Sequence, residues 1–289
     1  MGRLAAAAVA GLLALTVAAC GERHEPTGPD VDLYPVTVAS PTGGEAIVVR
    51  RPARRIAVIA TSVQRILTGL GAASQVAGTP LAQNGSVETV RLRDLRPDLI
   101  VASSSTDDET VAQAARAVPK APVYQASDDS IVGVERTITD LGLITARQSA
   151  AIRLVREIKE KQALVDRRLA GKPDVTVFVD TGFLTTVSNQ TLIGDLLREA
   201  HARNVAGDAP QVGPFDAKEL ARLDPRWFLA TSTSGTTLAK LRRDPKTRRL
   251  RAVRTGRFEI VSAALLSPGP TIGQGLLFLA RLLHPDAFR

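Results

Sequence analysis

"LRDLRPDLIVASSST" (residues 92–106) and "LARLDPRWFLATSTS" (residues 220–234) align without a gap. Leu92 falls on Leu220, Leu95 on Leu223, Pro97 on Pro225, Ala102 on Ala230 and Ser104 on Ser232, all at an offset of 128. Upstream, "QVAG" (75–78) matches "NVAG" (204–207) at an offset of 129, and "VIAT", ending at Thr61, matches "FVDT", ending at Thr181, at 120. Three matches in the same order mean that one unit occurs twice in the chain. The change of offset from 120 to 129 places nine extra residues in the second copy, within "GFLTTVSNQTL".

The repeated unit is α/β. Short β-branched runs, "RIAVIAT" (55–61), "DLIVASS" (98–104), "PVYQAS" (122–127), "VTVFVDT" (175–181) and "RWFLATS" (226–232), are separated by helix-like segments. That alternation implies βαβ crossovers and parallel sheets. Between the copies, "TARQSAAIRLVREIKEKQALVDRRLAGKPD" (145–174) carries Leu154, Ile158, Val165 and Leu169 at helical spacing, Arg and Lys on the other faces, and Gly171 and Pro173 at its end. The expected architecture is therefore two Rossmann-like lobes with parallel sheets, joined by one long backbone helix, with a ligand cleft between them. Such a molecule flexes modestly, because a helix bridges the lobes in place of flexible strands.

The ends and the composition restrict the setting. Residues 1–19, "MGRLAAAAVAGLLALTVAA", have a short start with Arg3, an apolar stretch and two small residues before Cys20, the three-part layout of an export signal. The apolar stretch is too short to span a bilayer comfortably. Cys20 is the only cysteine, so no disulfide partner exists, and "VAAC" resembles the lipobox of bacterial lipoproteins, in which the cysteine becomes a lipidated N-terminus. The expected division is 1–19 signal peptide, 20–35 lipidated cysteine and flexible tether, 36–146 N-terminal lobe, 147–171 linking helix and 172–289 C-terminal lobe. "YPVTVASPTGGEAIVV" alternates about a Pro/Gly turn and reads as an entry hairpin.

Aromatic residues make up 3% of the chain, so the core is built from aliphatic side chains. The net charge of +8 is concentrated in "KLRRDPKTRRLRAVRTGR" (240–257), where Asp244 is the only acid. That run reads as a solvated Arg-rich helix and loop. No aromatics are interleaved for base stacking, and an exported, tethered protein has no nucleic-acid partner. His24, His201 and His284 share no metal-ligand spacing, which argues against a site for bare zinc or manganese. "GLGAAS" (69–74) ends a helix instead of opening one after a strand, and "TSTSGTT" lacks a nucleophile elbow, so an enzyme is not expected.

Ligands of open α/β sheets bind beyond the carboxyl ends of the strands. This nominates Thr61, Ser62, Arg65, Pro80 and Ser103 to Ser105 in the first lobe. In the second it nominates Thr181, Phe183, Thr186, Thr231 to Ser234 and Ser267 to Pro270. These hydroxyls, amides and few arginines suit a polar ligand better than a flat corrin or haem, which aromatic faces usually grip. Trp227, at the start of a strand, reads as core.

The motifs together resemble the substrate-binding proteins of ABC importers for cobalamin, ferric siderophores and haem. "RIAVIATSVQRILTGLGAASQVAG" (55–78), "LRPDLIVAS" (95–103) and "DPKTRRLRAVRTGRFEIVSAALLSPGPTIGQGLLFLARLLHP" (244–285) carry the resemblance, which covers roughly residues 45–286. It implies an extracytoplasmic, lipid-anchored monomer that captures an iron-siderophore-like ligand, or cobalamin or haem, and delivers it to a permease with its ATPase. It implies no cofactor beyond the iron or cobalt the ligand itself can contain. In the family, a glutamate seven residues before the Pro of each "PD" strand docks onto the permease. Here those positions are Val90 and Lys218, and Glu88, Asp216 and Glu219 are the nearby substitutes. The departure keeps open an alternative: a lipid-anchored sensor or accessory protein that retained the fold without transport.

Overall fold

The computed structural model describes residues 34–40, 46–208 and 214–289, all within one compact unit. The expected signal peptide, Cys20 and residues 21–33 of the expected tether lie outside the described residues, as does the turn of the entry hairpin. That hairpin pairs β1 (Val36–Val38) with β2 (Ile47–Val49) antiparallel, Val36 opposite Val49.

The first lobe runs β3 (Ile56–Val58), α1 (Thr61–Gly69), β4 (Val76–Gly78), α2 (Thr89–Asp94), β5 (Leu99–Ser103), α3 (Asp108–Ala117), β6 (Val123–Ala126) and α4 (Ile131–Ile144). Then α5 (Gln148–Leu169) leads into β7 (Val175–Asp180), α6 (Leu192–Glu199), β8 (Ala202–Asn204), α7 (Ala217–Leu223) and β9 (Trp227–Thr231). The chain finishes with α8 (Leu238–Arg243), α9 (Arg251–Arg254), β10 (Phe258–Val261) and α10 (Ile272–Leu283). The two four-stranded sheets have the orders β4-β3-β5-β6 and β8-β7-β9-β10, all pairs parallel. One topology is thus built twice.

The ladders refine the repeat. Leu99 pairs with Ile56, and Trp227, its counterpart at the 128 offset, pairs with Val177, so β3 and β7 are equivalent at 121 and not 120. Ile56 also pairs with Val76 and Val177 with Asn204, an offset of 128 at that pair, after which a bulge shifts Ala57 onto Gly78. A single residue matters here because side chains alternate faces along a strand.

That alternation distributes the core. Ile56, Val58, Leu99, Val101, Val177 and Val179 face one continuous cluster shared with α1, α4, α5, α6 and α10. Ala57, Ile100 and Ala102 face a smaller cluster under α2 and α3, and Phe178, Phe228 and Ala230 face another under α7, α8 and α9. Strands covered on both faces must be apolar throughout, which explains their unbroken β-branched runs. Four of the seven phenylalanines gather in the last cluster, with the ring of Phe178 5.3 Å from that of Phe228 and 6.0 Å from that of Phe215. Trp227 is half-buried, its ring 6.0 Å from the Arg257 guanidinium carbon.

Helix α5 ties the lobes by burying Ile158, Val165 and Leu169, with α4 of the first lobe and α10 of the second packed on it. Two glycines permit the close approach. A Cβ at Gly142 would lie 2.4 Å from the Ala151 Cβ, and one at Gly273 would lie 3.0 Å from the Ile158 Cα. Hydrogen bonds also cross between the lobes. The Ile131 N–H at the start of α4 donates to Asp195 Oδ2 of α6 at 2.8 Å, and Arg65 Nη2 of α1 donates to Thr271 Oγ1 at 3.2 Å. Among the described residues no helix is long and apolar enough to cross a membrane.

Candidate functional site

A cleft of about 670 Å³ opens where both sheets end. In the first lobe each parallel strand stops and its chain turns outward, leaving polar side chains at the rim. Thr61 and Ser62 follow β3, Ser103 to Thr106 end β5, and Asp128 and Asp129 follow β6. The second lobe contributes Val187, Gln190 and Thr191 from the loop before α6, Leu192 and Ile193 from its first turn, and Leu266 to Pro268 after β10.

Asp128 organises the first wall. Its Oδ2 accepts the Ser62 hydroxyl and its Oδ1 the Ser104 hydroxyl, both at 2.7 Å, so one carboxylate joins the ends of three strands. Ser103 is buried, with its Oγ 2.8 Å from that of Ser105, and its N–H donates to Thr106 Oγ1. Asp107 caps α3 by accepting from the Thr110 hydroxyl at 2.7 Å and N–H at 2.8 Å. The Thr110 hydroxyl first, and the Thr110 amide second, hold the Asp107 carboxyl below its usual range. Among the described residues the lining thus has three carboxylates, Asp107, Asp128 and Asp129, many hydroxyls, and neither Lys, Arg, His nor an aromatic ring. Such a wall accepts hydrogen bonds and opposes concentrated negative charge.

Thr61, Ser62, Ser103 to Ser105, Ser267 and Pro268 come together in this lining. The other nominated residues lie outside it, each for a local reason. Arg65 is turned to Thr271 at the lobe junction. Pro80 is buried, its carbonyl accepting from Glu88 N. The extra loop of the second copy folds back at its near end, where Thr181 N–H donates to Thr185 O. Phe183 there has φ 53° and is 88% exposed, while Thr186 is buried and accepts from Asn204 Nδ2 at 2.8 Å. The far end of that loop, Gln190 and Thr191, reaches the cleft. Thr231 lines a small apolar void behind the cleft, and Ser232 Oγ accepts from Ala263 N at 3.0 Å.

Asp128 and Asp129 were not among the nominated residues, although the rule that nominated Ser103 applies equally to the end of β6. Gln190 and Thr191 were missed because the sequence of an inserted loop gives no sign of which half faces inward.

The three acids away from the cleft sit at two equivalent helix starts. Glu88 precedes α2 and pairs with Arg91 at 3.3 Å. Asp216 caps α7, accepting from the N–H groups of Lys218 and Glu219 at 2.9 Å, and Glu219 pairs with Arg222 at 2.9 Å. The Glu219 amide first holds the Asp216 carboxyl below its usual value. Val90 is 67% exposed on α2.

The fold brings together two histidines that are distant in sequence, His201 and His284, with rings 6.4 Å apart. Their nitrogens meet backbone carbonyls, His201 Nδ1 that of Lys172 and His284 Nε2 those of Ala200 and His201. Among the described residues no group of three or more His, Cys, Asp or Glu side chains is placed to hold a metal ion.

Solved structures share this fold at low identity. CeuE of Helicobacter pylori, in a nickel–histidine complex, is 16% identical with a TM-score of 0.74, over 88% of this chain and 89% of that one. The molybdate-binding protein MolA of Haemophilus influenzae is 17% identical with a TM-score of 0.74, over 88% and 92%. The periplasmic haem-binding protein RhuT of Roseiflexus is 18% identical with a TM-score of 0.67, over 81% and 99%. One fold thus serves three unlike ligands, so the ligand has to be read from the site. No curated protein sequence matches the chain. The profile of the periplasmic binding protein family matches residues 72–263. With its two repeated α/β lobes, helical backbone and interlobe cleft, the chain belongs to the periplasmic binding protein family, the substrate-binding proteins of ABC importers.

Proposed function

We propose that this protein is the extracytoplasmic solute-binding lipoprotein of an ABC importer, anchored through Cys20, and that it captures a polar iron-siderophore-type ligand and hands it to a permease. The observation that carries this reading is the cleft itself, to which both lobes contribute hydrogen-bonding groups at their strand ends. The protein acts by binding, without catalysis or a cofactor of its own; metal arrives as part of the ligand. Among the ligands considered, haem and cobalamin find no aromatic face in the lining, and strongly anionic chelates meet Asp107, Asp128 and Asp129. A compact ferric chelate that is neutral or cationic, rich in N–H and O–H donors, fits the wall best. Glu88, Asp216 and Glu219 serve as the permease contacts, and the protein works as a monomer.

A thermal-shift panel of ferric trihydroxamates, ferric tricatecholates, haem and cobalamin tests the reading, since a ligand that binds the folded state raises Tm by mass action. A rise with the trihydroxamate class is expected; no rise with any class contradicts the reading. A second reading, a sensor that kept the fold without transport, draws on Val90 and Lys218 standing where the family has docking acids. Charge reversal at Glu88 and Glu219 separates the two: transport requires loss of uptake, and the sensor reading requires none.

A further inference from the structure

The basic run of the second lobe becomes a surface in three dimensions. Lys240, Arg242, Arg243, Lys246, Arg248, Arg249, Arg251 and Arg254 are all exposed, while Leu241, Leu250, Ala252 and Val253 from the same stretch are buried in the cluster that also holds Leu220 of α7. The buried residues pin α8, α9 and the turns between them to the sheet, so the cations project outward from one plate. The plate has eight cations and one acid, Asp244, for a net charge of +7 out of the whole chain's +8. Its one ion pair with an acid joins Arg251 to Asp224 at 3.9 Å among the described residues. An exposed pair of that length contributes little, so the plate's field is essentially uncompensated.

From this geometry we infer that residues 240–254 form a seat for the phosphate headgroups of an anionic bilayer. Headgroups are mobile and need no shaped complement, only an array of long cationic side chains within a Debye length of the surface. Interleaved aromatics are a requirement of base stacking, not of this contact, and α8 and α9 span six and four residues, too short to read a nucleic-acid groove. The plate covers the same face of the second sheet as α7, which carries Asp216 and Glu219. If those acids meet a permease as proposed above, the plate faces the lipid beside it. The orientation rests on that proposal; the lipid contact does not. The seat would hold the second lobe against the membrane, reducing the volume that a tethered protein must search.

The test uses the full chain carrying Cys20→Ser, so that no acyl chain contributes, in a flotation assay. The vesicles are phosphatidylcholine alone or with about 30% phosphatidylglycerol. The leader carries Arg3 and the α-amino group, and because the plate and control variants share it, its contribution cancels between them. The plate variant is Arg248→Gln/Arg249→Gln/Arg254→Gln; a charge-matched control is Arg153→Gln/Arg167→Gln/Lys172→Gln, at exposed positions on and after α5. Each cation near an anionic surface strengthens binding about fivefold, so the plate variant is expected to bind about 100-fold more weakly to the anionic vesicles. The control retains most of the binding, and added salt removes it from the unsubstituted protein. Equal partitioning to both vesicle types overturns the inference, as does an equal loss in the plate and control variants. Because the parent protein's lipid selectivity and salt dependence are read without any substitution in the plate, a misfolded variant does not rescue the idea. Ligand capture, measured separately, decides the proposed function on its own.

Discussion

Replacement of Asp195 by Ala tests how the lobes are held. The carboxylate of Asp195 on α6 accepts the N–H of Ile131, the first residue of α4 in the opposite lobe, at 2.8 Å, and Ile131 is 1% exposed. Ser130 already caps this helix through Gly133 N, so the Ile131 amide depends on Asp195. A hydrogen bond to a charged acceptor contributes about 1.5–3 kcal/mol, and a buried donor left without a partner costs a similar amount. The negative charge at the start of a 14-residue helix adds up to about 1 kcal/mol. Loss of the Arg198 pair on the same carboxylate adds little, since Arg198 is largely exposed and keeps Glu199 at 3.0 Å. Asp195→Ala is therefore expected to lower stability by about 3 kcal/mol, or roughly 6–12 °C in Tm for a chain of this size. Asp195→Asn keeps an acceptor and loses only charge, so it should cost about 1 kcal/mol. Urea unfolding followed by circular dichroism, at equal m-values, measures both. If the two variants lie within about 0.5 kcal/mol of the parent protein, the amide has another acceptor and the cross-lobe bond does not hold the lobes.

Three other outcomes follow from the same structure. Gly142→Ala places a methyl 2.4 Å from the Ala151 Cβ where α4 crosses α5; overpacking costs about 1–3 kcal/mol and outweighs the helix-propensity gain, so urea unfolding should show a net loss, and an increase in stability would show that the helices can separate freely. Glu135 on α4 is 8% exposed and 3.8 Å from Lys159; burial pushes its carboxyl above 4.5 despite the lysine, so the folded protein holds that proton to higher pH than the unfolded chain. The corresponding stability is complete below that value and is lost as pH rises through the raised one, so Glu135→Gln should flatten the fall of Tm toward neutral pH, and a lower Tm than the parent at neutral pH would contradict this sign. Cys20→Ser should let a folded, ligand-competent protein be washed from the membrane by high salt, whereas a membrane fraction that high salt leaves unchanged and that still carries residues 1–19 would refute lipid anchoring.

The architecture was legible because repetition and alternation are properties of the chain itself. The 128 offset between Pro97 and Pro225 survives as equivalent strand starts, and the helical spacing of Ile158, Val165 and Leu169 survives as the buried stripe of α5. The offset of 120 missed by one, because hydrogen-bonded register is set by the neighbouring strand and leaves no local mark. The site was legible where a side chain directly follows a strand, as at Ser62, Ser103 and Ser104. It was not legible in the extra loop, where the fold-back at Thr181 to Thr185 turns Phe183 and Thr186 away and brings Gln190 and Thr191 in. Nor could one strand's sequence reveal Asp128 as the acceptor joining Ser62 and Ser104, since that contact joins three separate strand ends.

Native mass spectrometry of the full-length protein isolated from its own host, side by side with Asp128→Asn, tests the capture of a solute in this cleft most directly. Asn at 128 keeps the size of the side chain and removes the charge to which the Ser62 and Ser104 hydroxyls donate, at a cost of about 1.4 kcal/mol or more to a ligand that needs that wall. The parent protein is predicted to carry one small-molecule mass per chain, and the variant to carry it at about tenfold lower occupancy while losing no more than about 10 °C of Tm. A parent protein that carries no added mass and gains none from any of the candidate chelates, or a variant that retains the ligand undiminished, would contradict the account.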